Sequence, residues 1–319
     1  MVEPDDLLRT LRRAIRAFQN TPGRRGRFVR LEQADEVLVG GDMHGNLHNF
    51  QALVEHADLA THPNRHLIVQ ELVHGPFLYP EGGEQSHQLL DYLAEIKNRY
   101  PRQVHMLLGN HELAQWTGQP ITKSSWSNSG KNPNHTPKPL HWQTMWQRFF
   151  SLSRSFAPEI ATGQDLNLLF REGVGRAYQG RAAEVYNAYL ELFAVLPLAI
   201  RTPNRVFLSH SLPSESRLPE FQLTLLERDI VADYVWRTGG ILHALVWGRD
   251  TRPETAAQFL RQVDADLLIT GHIPCDDGFS VPNDRQLILD SMGWPAGYCL
   301  FPANQPLTHE QLLACVHTL

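Results

Sequence analysis

Cysteine is scarce: the 319 residues hold three, Cys275, Cys299 and Cys315, with no C-x-x-C pair and an odd thiol left under any pairing. That argues against a disulfide framework and against a zinc-thiolate site. No apolar run approaches the length needed to span a bilayer. The opening Met1–Asp6 stretch is acidic and lacks the apolar core of a secretion signal. A cytoplasmic protein without a membrane partner is expected. Positive charge is not in excess either, the net charge being -5, so nucleic acid is not an expected partner.

What the chain does have is histidine, 16 residues of a type that titrates near neutrality and ligates metals. Its 42% hydrophobic and 20% charged composition is that of a globular protein able to bury a core. Residues 1–30 read as an amphipathic helix and a basic segment. Leu7, Leu8, Leu11, Ile15 and Phe18 recur at helical spacing, while Arg9, Arg12, Arg13 and Arg16 lie off that stripe. The spacing predicts a helix docked on the core with a solvated basic face; contact of that face with RNA or an acidic partner is the weaker reading.

A βα alternation follows. Glu36–Gly40, His66–Leu72 and Gln103–Leu108 read as strands, with helices at Leu47–Ala57 and His87–Tyr100. Residues 113–195 break the rhythm. They contain a polar loop at Ser124–Pro139 and helical patterns at His141–Phe156 and Ala182–Phe193, and read as an insertion over the site within a single domain of residues 1–319. Strands are expected again at Leu196–Arg201, Arg205–Ser209, Ile241–Val246, Leu267–Thr270, Gln286–Asp290 and Tyr298–Phe301. Helices are expected at Leu223–Val235, Glu254–Val263 and Thr308–His317, the last opened by a Thr308/Gln311 capping box.

Four polar clusters each follow a strand: Gly41-Asp42-Met43-His44-Gly45-Asn46, Gly109-Asn110-His111-Glu112, Leu208-Ser209-His210-Ser211 and Gly271-His272-Ile273-Pro274. A lone histidine at a strand end is usually an ordinary hydrogen-bonded residue. Ligand-type residues at the ends of four strands, each beside glycine, serine or asparagine, point instead to a metal centre at the sheet edge where open α/β folds bind ligands.

In order and content these clusters resemble the signature of calcineurin-like metallophosphoesterases, G-D-x-H-G, G-D-x-x-D-R-G, G-N-H-E and two later histidines. The similarity is greatest to phosphoprotein phosphatases of the Ser/Thr type. Ala188–Ser211, Leu245–Asp250 and Leu268–Gly278 with Leu287–Ser291 extend the likeness over roughly Glu36 to Phe301. The resemblance implies an α/β (α+β) fold, a four-layer αββα sandwich with a helical insertion. It implies that Asp42 and His44 hold one divalent ion and that Asn110, His210 and His272 hold a second. It also implies in-line attack on a phosphomonoester by hydroxide bridging the ions, with His111 as general acid.

The second motif departs from the family. It reads Gln70-Glu71-Leu72-Val73-His74-Gly75-Pro76, so Glu71 stands in place of the bridging aspartate and His74 in place of the aspartate that orients the catalytic histidine. His74 is then either an extra ligand or a partner of His111. No arginine remains in the motif to grip phosphate; Arg249 is the first candidate replacement, and Lys123 or Lys131 the weaker one. The ligand set contains oxygen and nitrogen without thiolate, which suits two ions of manganese, iron or zinc. The substrate is expected to be a phosphoprotein, a small phosphate ester or a nucleotide. Two alternatives stand beside the phosphatase: a hydrolase of nucleotide polyphosphates of the diadenosine tetraphosphate kind, and a non-catalytic metal-binding module. Trp116, Trp126, Trp142 and Trp146 read as helix-packing residues more readily than as base stackers.

Overall fold

The computed structural model describes residues 3–122, 160, 163–228 and 233–319. The chain opens with helix α1 (Pro4–Gln19), whose Pro4 occupies the first turn, where its missing N–H costs nothing. The hairpin β1 (Arg24–Arg25) and β2 (Phe28–Arg30) follows. Next come β3 (Glu36–Asp42), α2 (Leu47–Ala57), β4 (Arg65–Gln70), α3 (His87–Arg99), β5 (Val104–Leu107) and α4 (Asn110–Thr117). Beyond these lie α5 (Leu166–Tyr178), α6 (Ala182–Phe193), β6 (Ala199–Arg201), β7 (Val206–Ser209), α7 (Ile241–Trp247) and α8 (Pro253–Gln262). The chain closes with β8 (Leu267–Thr270), β9 (Phe279–Asn283), β10 (Gln286–Leu289), β11 (Gly297–Pro302), α9 (His309–Leu313) and β12 (Val316–Thr318). Among the described residues no helix is long and apolar enough to cross a membrane.

The strands form two sheets, one in the order β1-β2-β6-β7-β8-β10-β9 and the other β12-β11-β3-β4-β5. Successive side chains of a strand point to opposite faces, and the two parities here serve two cores. Val37 and Val39 of β3, Ile68 of β4 and Leu107 of β5 share one apolar cluster with Val206 and Leu208 of β7, Ile269 of β8 and Leu289 of β10. This is the layer between the sheets. The opposite parity, with Leu38, Leu67, Val69, Met106, Phe207 and Leu268, packs against the helices. The result is the expected helix–sheet–sheet–helix sandwich. On the outside, α1 buries Leu7, Leu8, Leu11, Ala14, Ile15 and Phe18 and keeps Arg9, Arg12, Arg13 and Arg16 exposed. Each large apolar side chain so buried contributes about 1.5–3 kcal/mol.

What positions the site is strand direction. In one sheet β3, β4 and β5 are parallel; in the other β7, β8 and β10 are parallel. Each triplet delivers three loops to one edge, and an isolated parallel bridge, Asp42 to Asp290, ties the two sheets together there.

Two expected elements are corrected. Ile241–Val246 is not a strand but the helix α7, because the buried Ile241, Leu242, Leu245 and Val246 follow the one-turn spacing of a helix face. The expected helix Leu223–Val235 is absent from its described part, which holds two short 3₁₀ turns at Leu223–Leu225 and Asp233–Trp236. The Leu226 carbonyl there accepts the Arg27 N–H at 2.6 Å and Glu227 pairs with Arg30 at 2.6 Å, so tertiary contacts take groups that a helix would use. The closing helix is shorter than expected and yields to β12, with the Thr308/Gln311 capping box in place. Helices α4 and α5 and strands β1, β2, β9 and β12 were not expected. The polar loop Ser124–Pro139, the helix His141–Phe156 and Lys123, Lys131, Trp126, Trp142 and Trp146 fall outside the described residues. Trp116 packs edge-on to Trp236 at 5.1 Å, beside the Arg27 guanidinium. It is a packing residue.

Candidate metal centre

Four of the eight non-glycine residues with positive φ among the described residues are His44 (41°), Glu71 (47°), His74 (62°) and His272 (66°). Left-handed backbone costs such residues on the order of 1–3 kcal/mol each and persists where surrounding structure enforces it. Here hydrogen bonds enforce it. The Glu71 carbonyl accepts the N–H groups of both Met43 and His44 at 2.9 Å, and the Leu72 carbonyl accepts that of Gly45 at 2.9 Å. Glu112 Oε1 accepts Leu72 N–H at 2.8 Å and Val73 N–H at 3.0 Å, and Glu84 Oε1 accepts His74 N–H at 3.1 Å. Close approach also requires glycine at 271: a Cβ there would sit 2.1 Å from Asp42 Oδ1.

Asp42, Glu71, Asn110, His111, His210 and His272 are all buried, and His44 is partly so. The six expected ligands meet at the one edge. Asn110 Oδ1 lies 2.9 Å from His210 Nε2 and 2.7 Å from His272 Nδ1. Glu71 Oε2 lies 3.2 Å from His210 Nε2 and 3.7 Å from His44 Nε2. Asp42 Oδ2 accepts the His272 N–H at 2.7 Å, while Oδ1 stands 3.7 Å from His210 Nδ1. Among the described residues two groups are compact enough to share an ion, His44–Glu71–His111 and Glu71–His210–His272, each with ligand atoms within 4.8 Å. Glu71 belongs to both. Asp42 belongs to neither, and His111, with Nε2 3.9 Å from Glu71 Oε1, stands beside His44 in the first.

A cation fits these atoms for a reason internal to His210. Its Nδ1 faces Gln70 Oε1 at 3.0 Å and its Nε2 faces Asn110 Oδ1 and Glu71 Oε2. Burial lowers its pKa, so the ring is neutral and owns one N–H. One N–H cannot serve both sides of the ring, so either tautomer leaves a lone pair facing oxygen; with Nδ1–H donated to Gln70 it is that of Nε2, an arrangement that a metal ion turns from repulsive to favourable. Asp42 Oδ1 is likewise buried and finds no hydrogen-bond donor among the described residues.

The electrostatics agree. Burial, then the neighbouring Glu71, pushes Asp42 well above the usual carboxylate range. Burial raises Glu71 to about 7, Glu112 to about 7 and Asp290 to about 6. Burial lowers His44 to about 4 and His74 to about 3, and takes His111 and His272 well below their ordinary value. Neutral imidazoles and crowded protonatable carboxylates are what a ligand shell presents to an incoming cation.

His74 is not among the compact groups; it packs against His111 with ring centroids 5.0 Å apart. Arg249 follows α7, is half-buried, and interacts electrostatically with Glu71 and Asp42. Sequence reasoning assigned no role to Gln70, Glu84, Glu112, Gln115 or Asp290. Of these, Glu112 stood inside a quoted cluster and Asp290 at the end of an expected strand. Gln70 opened the quoted second motif, while Glu84 and Gln115 carried no signal, since their roles depend on long-range contacts.

A family model described as calcineurin-like phosphoesterase matches residues 36–276. A probable serine/threonine-protein phosphatase of Encephalitozoon cuniculi is 21% identical over 277 residues, covering 82% of this chain and 47% of that protein. The chain thus spans about half the length of this curated relative. Among solved structures, a protein serine/threonine phosphatase from Saccharomyces cerevisiae matches with a TM-score of 0.62 at 15% identity, over 100% of this chain and 90% of the other. A cold-active protein-tyrosine phosphatase of a psychrophilic Shewanella species matches at 0.50 and 13% identity, over 92% and 82%. At these identities the structural matches speak for the fold.

Proposed function

Because the chain belongs to the calcineurin-like phosphoesterase family, we propose that it is a metal-dependent hydrolase of phosphomonoesters, of the protein Ser/Thr phosphatase kind. The observation that carries this reading is the Glu71 carboxylate, common to two ligand groups and within 3.7 Å of His44 and 3.2 Å of His210. Asp42, His44 and Glu71 would hold one ion, and Glu71, Asn110, His210 and His272 the other. Two divalent ions (manganese, iron or zinc) would supply the positive charge that polarises a phosphoryl oxygen and acidifies water.

The chain's own residues do the rest. Glu71, longer by one methylene than aspartate, reaches both groups from a left-handed backbone position. Gln70 holds His210 in the tautomer whose Nε2 is free to ligate. Glu112 and Glu84 fix the loop of residues 72–74 by accepting its N–H groups. His111, held neutral by burial, would be protonated beside the negative charge of a bound phosphate and pass that proton to the departing oxygen, a transfer worth about 10²–10⁴ in rate. Arg249 offers a guanidinium to phosphate oxygens, in place of the arginine missing from the second motif.

The test is release of p-nitrophenol from its phosphate monoester by the purified chain with Mn²⁺. Activity is expected to disappear with chelator and in His111→Ala, while His111→Ala still binds metal. Equal turnover by wild type and His111→Ala would remove His111 from the reaction. A panel of phosphopeptides and dinucleoside polyphosphates then separates a protein phosphatase from a nucleotide hydrolase. No turnover on any of them, with metal bound, would leave the non-catalytic module.

A further inference from the structure

Away from the metal centre, the C-terminal ends of α2 and α3 frame a cavity of about 290 Å³. Helix α2 runs from Asn46, in the first motif, to Asp58, roughly 18 Å along its axis, so the cavity sits at the far end of the helix layer. Val54, Leu59, Ile96 and the rings of Tyr92 and Tyr100 line it, together with Glu55, Glu95 and Arg99. Leu59 and Ile96 are buried, whereas Glu55, Glu95 and Arg99 are exposed, so an apolar floor carries a charged rim.

The rim is not paired internally. Glu95 and Arg99 stand four residues apart on α3, acid first, the order that favours a helical ion pair. The Arg99 guanidinium instead lies 5.2 Å from the Tyr100 ring centre. Asp58 is engaged, accepting the Thr61 hydroxyl and facing His62 Nδ1 at 3.4 Å. Among the described residues the side chains of Glu55, Glu95 and Tyr92 make no hydrogen bond or ion pair. These three groups nevertheless converge: burial, then Glu55 from α2 and Glu95 from α3, raises the pKa of the Tyr92 hydroxyl.

Two carboxylates and a hydroxyl above an aromatic, apolar floor are complementary to a cation on an apolar stem. Volume restricts the guest. Pockets for whole small molecules begin at roughly 300 Å³, so this one suits a single side chain. A planar guanidinium can lie on a tyrosine ring, as that of Arg99 does, and has five N–H groups to divide between two carboxylates and a phenol oxygen. The compact ammonium of lysine matches neither feature. We propose that this cavity is a docking site for one arginine side chain of a partner polypeptide, its stem on Val54, Leu59 and Ile96 and its guanidinium between Glu55 and Glu95. Nothing in the site draws on the metal centre, so neither reading depends on the other.

The full chain labelled with 3-fluorotyrosine, titrated with N-acetyl-arginine amide and followed by ¹⁹F spectra, provides the test. Tyr92→Phe and Tyr100→Phe assign the two resonances. Both are expected to shift saturably at millimolar concentrations, and the citrulline amide, of the same shape without the charge, to bind at least about fivefold more weakly. Glu55→Gln combined with Glu95→Gln is expected to weaken the arginine amide by about fivefold or more. No saturable shift of Tyr92, equal affinity for the citrulline amide, or unchanged affinity in the double variant overturns the proposal. Agmatine, a guanidinium on a free alkylamine, is expected to bind no more tightly than the capped arginine; binding about tenfold tighter would assign the cavity to a small amine and overturn the polypeptide partner.

Discussion

Gln70 Oε1 lies 3.0 Å from His210 Nδ1, while the other ring nitrogen, Nε2, faces Asn110 Oδ1 and Glu71 Oε2. In the proposed centre this contact would hold the proton on Nδ1 and leave Nε2 to bind an ion. Partners of this kind typically change metal affinity by about 10–100-fold when removed. Gln70→Ala is therefore expected to weaken Mn²⁺ binding by that factor, and Gln70→Glu, which keeps an acceptor oxygen, to weaken it less. Isothermal titration with Mn²⁺ measures both; an unchanged affinity in Gln70→Ala would detach Gln70 from the centre.

Glu71 is expected to matter to both ions. Glu71→Ala should lower the metal content of purified protein by at least one ion per chain, whereas Glu71→Asp should retain part of it, because a carboxylate is kept at a φ that aspartate tolerates. Elemental analysis of dialysed protein distinguishes these outcomes. Full occupancy in Glu71→Ala would end the bridging role.

How much of this was legible beforehand depends on where the information lies. The strand ends that carry Asp42, Asn110, His210 and His272 could be read locally, since apolar strands running into Gly-flanked ligand residues leave a clear pattern. Leu47–Ala57 and Ala182–Phe193 were read to the residue because their apolar residues recur at helical spacing. Ile241–Val246 was misread as a strand because a short apolar run has no period of its own, and its helical state is decided by which faces are buried. The hydrogen bonds that join His74 to Gln115 and Gln115 to Tyr186 were invisible because they link positions 41 and 71 residues apart. Glu84 was missed for the same reason.

Glu84 supplies a pH prediction. Burial raises its pKa to about 8 from 4.5, so the folded protein holds a proton that the unfolded chain releases. The stabilisation from that proton is complete below the unfolded value and is lost as pH rises through about 8. Metal-free Glu84→Gln should therefore lose less stability than wild type between pH 5 and 8, by up to about 1.4 kcal/mol per pH unit. Urea midpoints at pH 5.5 and 7.5 provide the comparison; parallel pH profiles would mean that Glu84 stays ionised.

Gly271 tests the packing of the centre. A Cβ at this position would stand 2.1 Å from Asp42 Oδ1, beside the N–H that His272 donates to the same carboxylate. Gly271→Ala is expected to reduce Mn²⁺-dependent turnover at least tenfold, since displacement of a catalytic group by about 1 Å costs on the order of 10². Circular dichroism should remain that of the wild type. Wild-type turnover in this variant would show that Asp42 can move without consequence.

The two-ion arrangement is tested most directly by anomalous diffraction from Mn²⁺-soaked crystals, collected at the manganese edge. Two peaks are expected, both touching the Glu71 carboxylate, one beside His44 and the other beside Asn110, His210 and His272. A single peak, or two peaks of which only one contacts Glu71, would contradict the account.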